Sequence, residues 1–404
     1  MGRFKGRPSG GLGYSVRILT FSTLFPNAAQ PNFGVFVENR LRHLVESGRV
    51  DAQVLAPIPF FPFKSKLFGD YGAFAQAPMT EMRHGLKVSH PRYLVVPKIG
   101  MYLTPNFLFR AAYKAAQDII ADGFDFDLID AHYFFPDGVA AAQLSKALNK
   151  PLLITARGTD INLIPKQERA RKLILQAGEQ ASEMIAVCQA LKDEMVEIGL
   201  DEKHITVLRN GVDLNAFAPK DRREAKAKYH VGDKTLVSVG ALIDRKGHHL
   251  TIKALAELKD FELLIAGDGP ERSRLEALCR DENVENRVRF LGRVPHQDLA
   301  WLYSAAEASV LASSREGWAN VLLESMACGT PVVASDLWGT PECVAVPAAG
   351  VLMKEYSVSA LVDGVRKLFD NLPERSETRS YAEYFSWDAT TQGQIDIMNR
   401  VIEQ

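Results

Sequence analysis

An alternation of apolar segments that runs along the chain twice constrains the fold more than any other feature. Short apolar runs of strand length are separated by longer stretches with helical spacing, and such repetition implies a mainly parallel sheet covered on both faces. In the first half the strand candidates are residues 16–22 (VRILTFS), 52–58, 86–93, 126–133, 151–158, 183–188 and 205–211. Between them lie segments such as FGVFVENRLRHLVESG and LFRAAYKAAQDIIADG, whose apolar residues recur at helical intervals. A charged stretch with turn residues, near 210–232, interrupts the pattern, which restarts with candidates at 235–242, 261–267, 287–292, 308–313, 331–336 and 350–353. Two doubly wound α/β domains in tandem are expected. A chain of 404 residues, 47% of them hydrophobic, is long enough to give each its own core.

Charge and cysteine usage narrow the function classes. Lys and Arg number 48 against 49 Asp and Glu, so the balance does not advertise nucleic acid or a polyanionic partner. Cys188, Cys279, Cys328 and Cys343 have no CxxC spacing and read as buried thiols in a reducing compartment. His43, His84 and His90 lack the spacing of metal ligands, and His248 and His249 read as structural or solvated. No stretch approaches the roughly 18–20 unbroken apolar residues of a membrane span. Residues 1–15 (MGRFKGRPSGGLGYS) lack the apolar centre of a secretory signal and read as a flexible basic tail, so a cytoplasmic protein is expected.

The stretch REGWANVLLE (315–324) sets Glu316 and Glu324 eight residues apart. In a continuous helix they would lie about 12 Å apart along the axis, too far to share a proton. The flanks resolve the geometry: ASVLASS before it leans to strand, and NVLLESMACG after it has helical spacing that ends at Gly329. Glu316 is therefore expected on a strand-to-helix loop and Glu324 one turn beyond Asn320. In open α/β sheets ligands bind beyond the carboxyl ends of the strands, and a helix amino terminus suits a phosphate. VGALIDRKG puts Arg245 and Lys246 at the carboxyl end of the first strand of the same half, where two cations can grip a diphosphate. Glu324 would then bind a diol such as a ribose and Glu316 the group beyond the phosphates, as fits a nucleotide sugar.

The combination of REGWANVLLESMACGTPVVASD, VGALIDRKG, AGDGPER, FLGRVPHQDLAWLY and VLRNGVDLNAF resembles the retaining glycosyltransferases of family 4. FPNAAQPNFGVFVENRLRHL, DAHYFFPDGVAAA and ITARGTDIN resemble the first domain of bacterial members that build polysaccharides. The resemblance implies the GT-B fold: two Rossmann-like domains facing across a cleft, an acceptor-binding domain over 16–212, a nucleotide-sugar-binding domain over 213–378, and a terminal helix within 379–404 that crosses back. By similarity Glu316 holds donor-sugar hydroxyls, Glu324 the ribose, and Lys246 the phosphate. Gly240 is followed by Ala241 where the family usually has arginine, a charge Arg245 can supply. Gly317, Asn320 and Val321 are expected at the donor, and Gly34 where backbone approaches phosphates or acceptor. His132 resembles the histidine that contacts the donor sugar, while Arg157, where many relatives carry histidine, and Asp160 are expected near the acceptor.

The resemblance also implies retention by same-face attack, with the departing phosphate taking the acceptor's proton and no cofactor or metal needed. No acidic pair is placed for a two-carboxylate mechanism. A sugar-nucleotide epimerase and a non-catalytic two-lobed sugar-binding protein are the alternatives, whereas a nicotinamide dehydrogenase is disfavoured because Arg272 occupies the third glycine position of AGDGPERSR. UDP is the expected donor nucleotide, with a saccharide or lipid-linked acceptor. The aromatic loop 57–74, with Phe60, Phe61, Phe63, Lys64 and Lys66, and the basic segment with Lys166, Arg169, Arg171 and Lys172 suggest peripheral contact with the inner face of a membrane.

Overall fold

The structure is a computed structural model that describes residues 15–31, 33–61, 74–95 and 100–403. The basic tail up to Tyr14 and loop positions Phe63, Lys64 and Lys66 lie outside the described residues. The chain divides into two compact units, Met1–Leu208 with Asp388–Gln404, and Arg209–Trp387.

The first unit contains β1 (Val16–Phe21), β2 (Val50–Leu55), β3 (Ile58–Pro59), β4 (Thr80–Arg83), β5 (Leu86–Ser89), β6 (Arg92–Tyr93), β7 (Leu128–His132), β8 (Leu152–Ala156), β9 (Glu183–Ala186) and β10 (Ile205–Val207). Its main sheet has the order β10-β9-β8-β7-β1-β2-β5-β4, with β3 and β6 paired separately. Among the described residues only β4 runs antiparallel in this sheet, against β5. The central strands β7 and β8 are buried at every position, as expected for strands covered on both faces. The expected strand at 86–93 breaks in two at His90-Pro91, where proline supplies no ladder N–H.

The second unit repeats the architecture with β11 (Thr235–Val239), β12 (Glu262–Ala266), β13 (Val288–Gly292), β14 (Ala308–Leu311), β15 (Val332–Ser335) and β16 (Gly350–Met353). The order is β13-β12-β11-β14-β15-β16, and all its pairs are parallel. Strand order reverses beside β1 in the first unit and beside β11 in the second, so the topological switch points are β1/β7 and β11/β14.

Two boundaries differ from expectation. The charged stretch after residue 210 contains the helix Arg222–Tyr229, begun by Asp221, whose carboxylate accepts from Glu224 N at 2.9 Å. The chain end carries two helices: Arg375–Glu383 stays in the second unit, and Trp387–Glu403 starts there and returns to the first. The returning helix adds Ile395, Ile397, Met398 and Val401 to a core with Ile18, Val37, Leu41 and Leu128. Each such buried side chain stabilises by about 1.5–3 kcal/mol. All four cysteines are buried, and no helix among the described residues is long and apolar enough to cross a membrane.

Candidate functional site

In the second unit the two motifs leave the adjacent ends of β11 and β14. Gly247 closes the turn that carries Arg245 and Lys246 at φ 68°, and a Cβ there would lie 1.7 Å from the Ala312 carbonyl oxygen. Only glycine allows that approach. The loops are tied in both directions: Ser314 N donates to Arg245 O at 2.9 Å, and Arg245 Nη1 to Arg315 O at 2.7 Å. This holds both cations beside Glu316.

Glu316 Oε1 accepts from Lys246 Nζ at 2.6 Å and from Ser313 Oγ at 2.7 Å, while its Oε2 lies 3.3 Å from Arg245 Nη1. Burial pushes this carboxyl up, but Lys246, Arg245 and the Ser313 hydroxyl outweigh it, and the group sits below its ordinary value. Glu324 lies one turn into the helix Asn320–Ala327, where Tyr303 Oη donates to Oε2 at 3.3 Å. Burial raises this carboxyl to about 7 against the opposing pull of Tyr303 and Lys246. The two glutamates therefore hold their protons differently near neutrality, one firmly ionised and the other poised.

The intervening loop is anchored by packing. Trp318 is buried and meets the Phe385 ring at 6.1 Å, and Asn320 Oδ1 accepts from Asn210 Nδ2 at 3.3 Å. Gly317 lies in the loop before Trp318, and Val321 is half-buried in the first helical turn. At the other end of the helix Arg379 Nη1 donates to Ala327 O at 2.7 Å and Arg375 Nη2 to Cys328 O at 3.1 Å, cations where the helix dipole favours them. His248 is buried beneath the turn, its Nδ1 3.0 Å from Ser238 Oγ and its Nε2 3.3 Å from Ala241 O. Burial lowers it to about 4, so it is a neutral structural ring.

In the first unit Gly34 has φ 70° and opens the helix Val35–Glu46, and a Cβ there would lie 2.3 Å from Leu24 O. His132 ends β7, buried, with Nε2 3.3 Å from Asp130 Oδ2 and Nδ1 2.8 Å from Arg157 Nη2. Burial is the main cause that lowers its pKa to about 4. Arg157 follows β8 with its guanidinium 5.4 Å over the Phe36 ring. Asp160 is fully buried, and its carboxylate accepts from Phe134 N at 2.8 Å, Gly158 N at 2.7 Å and Arg157 N at 3.1 Å. It ties the loops after β7 and β8 together.

Of the expected residues, the structure groups Arg245, Lys246 and Glu316 in one set and His132 with Arg157 in another. Sequence reasoning missed Ser313, Tyr303, Asn210 and Asp130. Each lies in or beside a recognisable motif, Tyr303 closing FLGRVPHQDLAWLY and Asp130 two residues before His132, but only folding shows what each touches. No group of three or more metal-ligating side chains occurs among the described residues.

Comparison with known proteins agrees with this architecture. Residues 220–384 match the sequence profile described as glycosyl transferases group 1, and residues 34–216 match glycosyltransferase family 4. TuaC of Bacillus subtilis, named for teichuronic acid biosynthesis, is 28% identical over 360 residues, 87% of this chain and 89% of that protein. N-acetyl-alpha-D-glucosaminyl L-malate synthase of Bacillus anthracis is 26% identical over 306 residues, 72% of this chain and 79% of that one. Among solved structures, sucrose-phosphate synthase of Thermosynechococcus elongatus superposes with TM-score 0.79 at 20% identity, over 96% of this chain and 99% of that one. Anabaena HepE in complex with UDP-glucose does so with TM-score 0.71 at 19% identity, over 95% and 99%. With two profiles matched in succession, one over each doubly wound unit, the chain belongs to the glycosyltransferases of family 4 and has the GT-B fold.

Proposed function

We propose that the protein is a retaining glycosyltransferase that moves a sugar from a UDP-sugar to a saccharide or lipid-linked acceptor in the building of a cell-surface polysaccharide. One observation carries the reading: a buried, ionised Glu316 is held by Lys246, Arg245 and Ser313 at a switch point, with Glu324 on the helix that follows. An arriving diphosphate draws the two cations to itself and leaves Glu316 to accept sugar hydroxyls. Glu324, near its own titration midpoint, hydrogen-bonds the ribose. As the bond from the anomeric carbon to phosphate breaks, negative charge grows on the leaving nucleotide, where Lys246 and Arg245 stabilise it in place of a metal. The acceptor attacks from the same face, and the leaving oxygen takes its proton.

The UDP assignment draws support from HepE, which was solved with UDP and with UDP-glucose. The name of TuaC supports a polymeric acceptor. Phe60, 51% exposed after β3, lies at the start of the aromatic loop and supports placing the protein at the cytoplasmic face of a membrane, with the acceptor entering through the first unit near Arg157 and Asp160. The central test is thermal shift with UDP, ADP and GDP, followed by turnover of UDP-glucose in chelator. UDP should raise the melting temperature most, since a ligand that binds only the folded state stabilises it. No shift with any nucleotide refutes the donor site, and activity that disappears in chelator and returns with Mg²⁺ refutes the metal-free step.

A further inference from the structure

The returning helix Trp387–Glu403 carries one buried polar side chain whose hydrogen bonds go beyond packing. Gln394 Oε1 accepts from Arg40 Nε at 2.6 Å, and its Nε2 donates to Asp130 Oδ2 at 3.1 Å. A guanidinium only donates and a carboxylate only accepts, so the amide has one permitted orientation. The same Asp130 oxygen lies 3.3 Å from His132 Nε2, and His132 Nδ1 lies 2.8 Å from Arg157 Nη2. Arg157 also can only donate, so Nδ1 holds a lone pair and the ring proton is on Nε2, aimed at Asp130. An imidazolium would set N–H against N–H. Arg40, Asp130, His132 and Gln394 are all buried, which removes water as an alternative partner.

We propose that Gln394 is a positioning residue: it holds Asp130, and through Asp130 the Nε2–H tautomer of His132, whose Nδ1 lone pair orients the Arg157 guanidinium at the carboxyl end of β8. This rests on the reading of that end of the first unit as the face that meets sugar. The Phe36 ring, two residues past Gly34, fixes Arg157 from the other side. The chain of hydrogen bonds joins distant parts of the sequence: Arg40 and Gln394 are 354 positions apart, Asp130 and Gln394 264. Without the amide, Arg40 has one acceptor fewer and Asp130 one donor fewer, and the opposite charges draw together, away from His132.

The test is two-bond ¹H–¹⁵N correlation on ligand-free, ¹⁵N-histidine-labelled full-length protein, with His132 assigned by the signal that vanishes in His132→Gln. The parent should show an unprotonated Nδ1 and a protonated Nε2, invariant between about pH 5 and 8. In Gln394→Leu, and in Gln394→Glu, which keeps the size and the acceptor for Arg40 but removes the donor, His132 should show mixed tautomers or titrate in that range. A parent His132 protonated on Nδ1, or titrating in that range, overturns the proposal, as does an unchanged ring in either folded variant. Turnover of UDP-glucose by Arg157→Gln separates the two readings: a parent rate there removes the sugar-facing role and leaves the positioning chain standing.

Discussion

Replacing Glu316 by glutamine should tighten UDP binding while slowing sugar transfer. The amide keeps the shape and the oxygen that accepts from Ser313, but it removes the charge that neutralises Lys246 at 2.6 Å and Arg245 at 3.3 Å. A phosphate held by those cations would lie about 6 Å from the carboxylate, where two negative charges repel by about 0.7 kcal/mol in water and about 3 kcal/mol at an effective dielectric constant near 20. A partly open site lies between these limits, so a gain of about 1.4 kcal/mol, roughly tenfold in UDP affinity, is expected. Transfer should fall because, on the proposed function, Glu316 meets the sugar as an ionised acceptor, and one charge-assisted hydrogen bond contributes about 1.5–3 kcal/mol, or roughly ten- to a hundredfold in rate. Glu324→Gln should instead weaken UDP, since the proposed function places Glu324 on the ribose of the nucleotide rather than on the sugar. Calorimetry with UDP and initial rates with UDP-glucose separate the two. If Glu316→Gln weakens UDP as much as Glu324→Gln does, the division of roles is wrong.

Asp137 offers a pH test. Burial raises its carboxyl to about 7, although Thr23 N donates to it at 2.6 Å and the Ser22 and Thr23 hydroxyls pull it down. Because the folded pKa exceeds the unfolded value near 3.9, the folded state holds the extra proton between them, and stability is lost as pH rises from about 4 to 7. Asp137→Asn cannot ionise, so its melting temperature relative to the parent should climb between about pH 5 and 7.5; a constant difference would show that Asp137 does not titrate there. For the membrane reading, the parent should float with anionic liposomes, and a folded variant with Phe60, Phe61 and Phe63 changed to serine should float less and use its acceptor poorly. A parent that never floats, together with a variant of normal acceptor use, rejects both roles of the loop.

Strand placement was legible because it rests on local periodicity. Every apolar run named as a strand overlaps a strand of the two large sheets, and Glu316 and Glu324 fall on the expected loop and helix. Thr80–Arg83 was missed because its residues are half-exposed to exposed and mostly polar, leaving no apolar alternation to detect. The helix Arg222–Tyr229 was hidden for a similar reason, with one buried residue, Ala225, in a charged segment. Side-chain pairing posed a different problem. His132 could be named from its motif, but the partners that set its proton come from β7, the residue after β8 and the terminal helix, and nothing local in the sequence pairs residue 394 with residue 130. Tyr303 likewise closes a recognisable motif, but nothing local marks it as the hydroxyl on Glu324.

The division of the first unit between residues up to Leu208 and those from Asp388 has a consequence for biosynthesis. Translation delivers the sheet of that unit first, with Arg40 and Asp130 facing a slot still empty of Gln394 and an apolar groove still lacking Ile395, Ile397, Met398 and Val401. The whole second unit must leave the ribosome before the groove can close. A nascent chain stalled anywhere within it exposes a greasy, charge-bearing seam, the kind of surface that recruits chaperones and proteases. The second unit, continuous from Arg209 to Trp387, has no such wait, so the later-made half is able to reach its native packing before the earlier one.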